Sequence, residues 1–290
     1  MLAFADLAHP IVCAPMAGGP STPELVAAVG GAGGLGVLGA GYKTAAAMRD
    51  EIAATRRLTR APFGVNVYDL RGAAPADPAV VTDYAATLDG PLGAARFDDD
   101  DLDAKLAALV DDPVAVVSFT FGCPTADDVA ALHAVGTAVW VTVTTPAEAE
   151  RAAAVGADAL VAQGAEAGGH QGAWTDPRHE PLTLLALLQL LETEVPVVAA
   201  GGIATARGVA AVLAAGAWAA QCGTAFLLCP EAGTHPAQRE RLRTDAPTGL
   251  TRAFTGRLAR GIVNWFQAAH SADAPSAYPE VHHQIGRAHV

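Results

Sequence analysis

Eight short apolar runs recur along this chain, most followed by a stretch of helical pattern, and that alternation limits the folds open to it. The runs are Ile11–Ala17, Leu35–Ala40, Phe63–Tyr68, Ala115–Phe121, Ala138–Val143, Ala159–Gln163, Val195–Ala200 and Ala219–Phe226. Between them, Pro23–Val29, Ala45–Arg57, Ala126–Ala134, Ala147–Val155, Leu182–Leu191 and Ala206–Ala214 are rich in Ala and Leu and of helical length. Near-continuous apolar strands interleaved with helices mean a parallel sheet covered by those helices. Eight such units close naturally into an α/β (β/α)8 TIM barrel, and 290 residues suit one barrel with an appendage. An open doubly wound sheet would place a GxGxxG turn directly after its first strand. Here Gly30-Gly31-Ala32-Gly33-Gly34 follows the first helix instead.

Local signals agree with these boundaries. Thr22 precedes Pro23 as N-cap and first helical residue, and Thr145-Pro146 repeats the arrangement. Gly136, Gly156 and Gly216 lie where helices should stop. Two segments break the rhythm. Asp69–Asp112 is too long for one crossover and contains Asp98-Asp99-Asp100-Asp101. That run reads as a solvated helix start, since Asp is favoured near the positive end of the helix dipole, and adjacent carboxylates do not converge on a metal. The segment after Leu228, rich in Pro, Gly, Arg and His, shows no clear strand. It is expected to be a partly helical extension over the barrel mouth. The expected division is therefore a barrel over 1–228, a C-terminal substrate-side extension over 229–284, and a non-native tail over 285–290. The tail, Ile285-Gly286-Arg287-Ala288-His289-Val290, resembles a translated sequencing-library adapter, so the extension is expected to be truncated.

A formal net charge of −12 argues against nucleic-acid binding, because phosphates would be repelled over most of the surface. An anion site built from backbone N–H groups stays compatible with that charge. The four cysteines, Cys13, Cys123, Cys222 and Cys229, lack CxxC spacing and sit in or beside apolar runs, so reduced thiols are expected. Cys123 reads as a small apolar filler and His133 as a helix-surface residue. His282-His283 lacks a third ligand at suitable spacing for a metal. No membrane-spanning stretch and no signal peptide are read from the sequence, and a cytoplasmic protein is expected.

The chemistry concentrates at predicted strand ends, which form the active-site mouth of such a barrel. The sixth run ends in Gln163-Gly164-Ala165-Glu166-Ala167-Gly168-Gly169-His170-Gln171-Gly172. Gly168 and Gly169 let backbone approach a flat ligand closely, and His170 can exchange a proton with it. The seventh run ends Ala199-Ala200-Gly201-Gly202-Ile203, and the eighth Gln221-Cys222-Gly223-Thr224. Two glycine-bearing turns at helix N-termini, after the strands where barrels usually bind phosphate, point to a phosphate-containing cofactor. A hydroxyl from Thr224 adds to them.

The run QGxEAGGHxG, with Ala14-Pro15-Met16, Gly64-Val65-Asn66, AAGGI and GTAF, resembles the FMN-dependent nitronate monooxygenases, formerly called 2-nitropropane dioxygenases, over about residues 8–284. The resemblance implies FMN as cofactor and His170 as the catalytic residue. It sets the backbone of Ala14, Pro15 and Met16 against the isoalloxazine and makes Asn66 and Gln163 its hydrogen-bonding amides. Gly168, Gly202 and the turn from Gln221 through Cys222 and Gly223 to Thr224 become ring and phosphate contacts. Amide side chains suit a flavin's pyrimidine edge because they both donate and accept. The implied reaction takes an alkyl nitronate and O2 to a carbonyl compound and nitrite. His170 binds the anion, or removes the α-proton of a neutral nitroalkane. Two alternatives stay open: an FMN-dependent enoyl-thioester reductase using NAD(P)H, and a catalytically inert FMN-binding barrel. The segment Thr255-Gly256-Arg257-Leu258-Ala259-Arg260-Gly261 resembles the family's TGRxARG run. With Arg252, its Arg257 and Arg260 either cover the pocket or pair with acidic surface. A monomer or homodimer is expected.

Overall fold

The computed structural model describes residues 6–176 and 180–285. Eight strands form a closed parallel barrel: β1 (Ile11–Cys13), β2 (Leu35–Gly39), β3 (Phe63–Tyr68), β4 (Val116–Thr120), β5 (Ala138–Val143), β6 (Ala159–Gln163), β8 (Val197–Ala200) and β9 (Ala219–Cys222). Pairing of Ile11 with Ala220 and of Cys13 with Cys222 closes the ring. The helices α1 (Pro23–Gly31), α2 (Ala45–Leu58), α4 (Leu102–Asp111), α5 (Ala126–Ala134), α6 (Pro146–Ala154), α7 (Leu184–Leu190) and α8 (Ala206–Ala214) stand between successive strands. Thr22, Thr125, Thr145 and Thr205 each accept a backbone N–H from their helix's first turn, which satisfies an otherwise orphaned donor. None of the described helices is long and apolar enough to cross a membrane.

Strands are shorter than the apolar runs predict at the mouth. After Cys13, residues Ala14–Ala17 leave the sheet and form a loop in which Ser21 Oγ accepts the Met16 N–H at 2.8 Å. After Cys222, the chain turns into a 3-10 helix, Thr224–Phe226. One buried cluster joins Leu35, Val37, Val116, Trp140, Val161 and Val198 across the barrel and so fills its interior. A second, with Met48, Ile52, Val65, Phe119, Leu132 and Val139, packs strands against helices. Helix α1 approaches β2 so closely that a Cβ on Gly36 would lie 2.6 Å from both Cα and the carbonyl oxygen of Val26.

The two irregular segments fold onto each other. Within 69–112 the chain forms α3 (Pro78–Ala85) before α4. After residue 228 it forms α9 (Pro236–Arg241), β10 (Thr248–Thr251), β11 (Ala259–Ile262), α10 (Trp265–His270) and α11 (Glu280–Ile285). The expectation of no strand there is corrected: β10, β11 and a two-residue strand β7 (Gly169–His170) make an antiparallel sheet in the order β10-β11-β7. These strands were hidden because they are short, carry Gly and Arg, and find their partner far away in sequence. Val81, Tyr84, Ala253, Phe266, Val281 and Ile285 form their own apolar cluster. Ile285, grouped by sequence with a non-native tail, thus ends α11 and is buried; the rest of that tail, 286–290, lies outside the described residues.

The acidic run does lead into α4, with Asp101 at its N-cap position and Asp99 and Asp101 exposed, but Asp100 departs from the solvated reading. Asp100 pairs at 2.7 Å with Lys105, whose side chain is 0% exposed, and accepts the Tyr42 N–H at 2.8 Å. Asp101 accepts the Ala45 N–H at 3.0 Å. Asp100 and Asp101 clip the 69–112 excursion to the residues at the start of α2, and Lys105 is the cation that makes burying Asp100 tolerable.

Two stability outcomes follow. Gly36→Ala should cost about 1–3 kcal/mol in denaturant unfolding, because neither clashing atom is the end of a flexible side chain; an unchanged midpoint would mean α1 is free to move off the sheet. Lys105→Ala should cost about 3–5 kcal/mol by leaving Asp100 buried without its cation, and Asp100→Asn in that background should recover part of the loss.

Candidate active site

At the C-terminal mouth of the barrel lies a cavity of about 560 Å³, within the range of small-molecule and cofactor sites. Its lining brings together most residues singled out from sequence: Ala14, Pro15, Met16, Asn66, Gln163, Gly168, Gly169, His170, Gly201, Gly202, Gln221, Gly223 and Thr224. Cys222 is the exception and does not line the cavity. Strand alternation turns its thiol away from the mouth into a cluster with Ala199, Ile203, Val212 and Ala217, and its carbonyl accepts the Ala14 N–H at 2.9 Å.

One side of the cavity is a cradle of small residues. A Cβ on Gly168 would lie 3.0 Å from Thr224 Oγ1, so only glycine leaves that gap open. Gly202 has φ +68, and its added Cβ would meet Glu166 Cβ at 2.9 Å. Among the described residues, the N–H groups of Gly202 and Gly223 donate to no backbone acceptor, which leaves them for an anion. Arg260, on β11, borders this side and anchors its Nε and Nη2 on the Ala165 carbonyl at 3.2 and 3.0 Å.

The amides differ from one another. Asn66 Nδ2 donates to Ser118 O, Ser118 Oγ and Thr120 Oγ1 at 2.9–3.1 Å, so its Oδ1 is the uncommitted atom. Gln163 is engaged at both ends: Nε2 donates to the His170 carbonyl at 3.2 Å and Oε1 accepts the Gly172 N–H at 2.6 Å. Its amide straps the loop that carries His170, and any ligand bond would share atoms already in use.

His170 sits on the opposite wall. Its backbone pairs with Ala259 of β11, and its Nε2 lies 2.9 Å from Thr255 Oγ1. The Phe121 ring meets it edge-on at 5.8 Å and Tyr278 lies at 5.7 Å. Behind Phe121, the guanidinium carbon of Arg257 stacks 3.9 Å from the ring centroid. Arg257 is 5% exposed, donates to the Ala173 carbonyl, and has no partner for its Nε. Burial, then the charge of Arg257, then His282, pushes the His170 imidazole down to about 3, against an opposing contribution from Asp176. The ring is therefore neutral through the physiological range.

Sequence reasoning missed much of this wall. Tyr42, Tyr68, Ser118, Thr120, Phe121 and Thr142 all line the cavity. Tyr68, Thr120, Phe121 and Thr142 sit at or next to the C-terminal ends of β3, β4 and β5, so strand-end position was the signal available, while Ser118 lies within β4. Tyr42 and Phe121 hold φ of +66° and +75°, an uncommon conformation for bulky residues and one that clusters at functional sites. Of the arginines, Arg252 pairs with Asp176 at 3.0 Å, Arg257 is buried behind the wall, and only Arg260 reaches the cavity.

Other candidates fall outside. Cys123 packs against the main apolar cluster, with burial pushing its thiol up to about 11, which suits a filler. His133 pairs with Asp158 at 2.8 Å, His283 with Asp98 at 2.7 Å, and His282 stacks on Tyr42 at 4.0 Å. Among the described residues no group of His, Cys, Asp and Glu is arranged to hold a metal ion.

Comparisons with known proteins agree with the geometry. The family model for nitronate monooxygenase matches residues 2–289. A nitronate monooxygenase of Pseudomonas aeruginosa is 43% identical over 94% of this chain and 83% of its own length. Among solved structures, a nitroalkane oxidase from Streptomyces ansochromogenes superposes with a TM-score of 0.92 at 50% identity, covering 97% of this chain and 84% of that one. FabK from Thermotoga maritima stands further off, with a TM-score of 0.72 at 32% identity over 89% of this chain and 72% of that one. These findings support the nitronate reading over the enoyl-thioester reductase alternative. The chain belongs to the nitronate monooxygenase family of oxidoreductases.

Proposed function

We propose that the cavity holds FMN and that the enzyme oxidises alkyl nitronates with O2 to carbonyl compounds and nitrite, with His170 as the residue acting on the substrate. One observation carries the reading. A partly buried, neutral imidazole, with a buried guanidinium behind it, faces a cavity whose other side is a glycine cradle with N–H groups that donate to no backbone acceptor. Members of the family are in general flavin-dependent. The phosphate would rest on Gly202, Gly223 and Thr224, with Gly201 shaping the turn. Ala14, Pro15 and Met16 offer an apolar surface to a flat ring, beside Gly168 and Gly169. Asn66 Oδ1 and the Gln221 amide supply polar contacts at the ring edge, and Gln163 holds the loop in place. Bound there, FMN supplies the electron transfer and the oxygen chemistry.

The chain's own residues do the rest. The buried Arg257 charge favours an anion against the His170 wall, where little water screens it. A neutral His170 is in the protonation state that accepts a proton from a nitroalkane α-carbon. Phe121, Tyr42 and Tyr68 narrow the space in which a small aliphatic substrate can sit. The segment 229–284 supplies the substrate-side wall through β11, Thr255 and Tyr278.

Purified protein should be yellow with bound FMN, and should consume O2 with propionate 3-nitronate in the absence of NAD(P)H. A colourless protein that FMN cannot reconstitute would overturn the cofactor assignment. A yellow protein that turns over neither nitronate nor nitroalkane would leave an inert flavin barrel.

His170→Asn should retain FMN and lose about 10²–10⁴-fold in oxidation of a neutral nitroalkane. Oxidation of the preformed nitronate, which needs no deprotonation, should fall by only about 1–3 kcal/mol in its barrier. Equal modest losses on both substrates would make His170 an anion-positioning group and not a base.

The same residue predicts an acid dependence of stability. His170 titrates near 6.5 when unfolded and about 3 when folded. Between those values the unfolded chain binds a proton that the folded one excludes, so stability is lost as pH falls through that window. Urea titrations at several pH values should show a slope shallower in His170→Asn by up to about 1.4 kcal/mol per pH unit. Identical slopes would mean His170 is solvated in the folded state.

A further inference from the structure

The hydroxyl of Thr255 touches three groups that between them define its hydrogen-bonding capacity. It receives the Arg257 N–H at 3.3 Å, faces the Arg257 carbonyl at 3.2 Å, and lies 2.9 Å from His170 Nε2. A threonine hydroxyl has one proton to give and two lone pairs to fill. If its proton goes to the Arg257 carbonyl, one lone pair takes the Arg257 N–H and the other is left for a proton on Nε2, and every site is used. If the proton went to Nε2 instead, a lone pair would stay empty and the carbonyl contact would be lost. In this partly buried turn the saturated arrangement is favoured, because it makes one more hydrogen bond and leaves no lone pair of the hydroxyl unfilled.

We propose that Thr255 is a positioning residue that holds His170 as the Nε2–H tautomer, leaving Nδ1 as the proton-accepting atom of the site. The inference rests on His170 acting on substrate, as set out above. Both partners are immobilised. Gly256, with φ +78, would place a Cβ 2.3 Å from the Ala277 carbonyl oxygen, and its own carbonyl accepts the Ala277 N–H at 2.9 Å. Asp176 Oδ1 accepts the Leu258 N–H at 3.1 Å on the other side of the turn. His170 is fixed by its pairing with Ala259, and the Gln171 N–H donates to the Leu258 carbonyl at 2.8 Å. The hydroxyl and the ring therefore meet in one geometry. The neutral ring carries a single N–H, so its position decides what the residue can do: an Nδ1 lone pair accepts a proton from carbon, whereas an Nδ1–H would donate to an anion.

The test uses the flavin-loaded enzyme labelled with 15N-histidine, with the His170 signals assigned by their loss in His170→Asn. Long-range 15N–1H correlation reads the tautomer directly and does not depend on turnover. In the wild type, Nε2 should carry the proton and Nδ1 should show the unprotonated shift from neutral pH down to about pH 4. Thr255→Val keeps the shape and removes the hydroxyl. It should give a mixed or Nδ1–H signature and lower kcat on a neutral nitroalkane about five- to tenfold, with little change in KM. Thr255→Ser should restore both. An Nδ1–H signature in the wild type, or a Val variant with unchanged tautomer and unchanged kcat, would overturn the proposal. Retained nitroalkane turnover in His170→Asn, beside a confirmed Nε2–H tautomer, would instead overturn the role given to His170 while leaving the tautomer assignment standing.

Discussion

The pairing of Gly169-His170 with Ala259-Arg260 joins the barrel to the chain that closes over it. It is only two residues long, yet it sets the height and direction of the imidazole, brings Thr255 to its Nε2, and places Arg257 behind Phe121. A strand this short contributes little by itself. It holds because each side is fastened elsewhere, to Gln163 on the barrel side and to Asp176 on the other. The site is thus built from hydrogen bonds across nearly a hundred residues of sequence, on a barrel whose own stability comes from local strand–helix packing.

Charge is arranged to the same end. Arg257 and Asp176 are both buried, and the Leu258 amide, Arg257 and Arg252 hold the Asp176 carboxylate below its usual range against the desolvation that would raise it. The guanidinium has no direct carboxylate contact among the described hydrogen bonds and rests on an aromatic face, so Asp176 offsets only part of its positive potential at the ring of His170. A neutral imidazole beside that residual positive potential favours negative charge developing on a substrate there.

The barrel was legible because its signal is local. Apolar runs, Thr caps and stop glycines each fix one element without knowledge of the others, and eight of them leave one architecture. The cradle was legible for the same reason, since Gly201-Gly202 and Gly223-Thr224 fall directly after strands. Thr255, Arg257 and the aromatic wall were not, because their meaning lies in what they meet. Nothing within a few residues of Thr255 or Tyr278 shows that His170 will be the neighbour. Gln163 lines the cavity, but that its two amide atoms also hold the loop of His170 could not be seen from its neighbours in sequence. Asp100 looked solvated until Lys105, five residues on, proved to be fully buried with it.

The excursion over 69–112 and the C-terminal helices are bound by contacts of very long range. Glu280 accepts the Ala76 N–H at 2.8 Å, the Tyr84 hydroxyl donates to the Ala253 carbonyl at 2.8 Å, and the Gly93 N–H to the Gln284 carbonyl at 2.7 Å. Closing loops of that length costs chain entropy before any contact repays it, while each strand–helix–strand unit closes over a few tens of residues. The two halves of the cavity therefore differ in what holds them. The glycine turns after β8 and β9 ride on the paired strands of the barrel, while the wall that carries Tyr278 and Thr255 depends on these few distant contacts. Loosening those contacts would open the substrate's side of the site and leave the strands beneath the cradle paired.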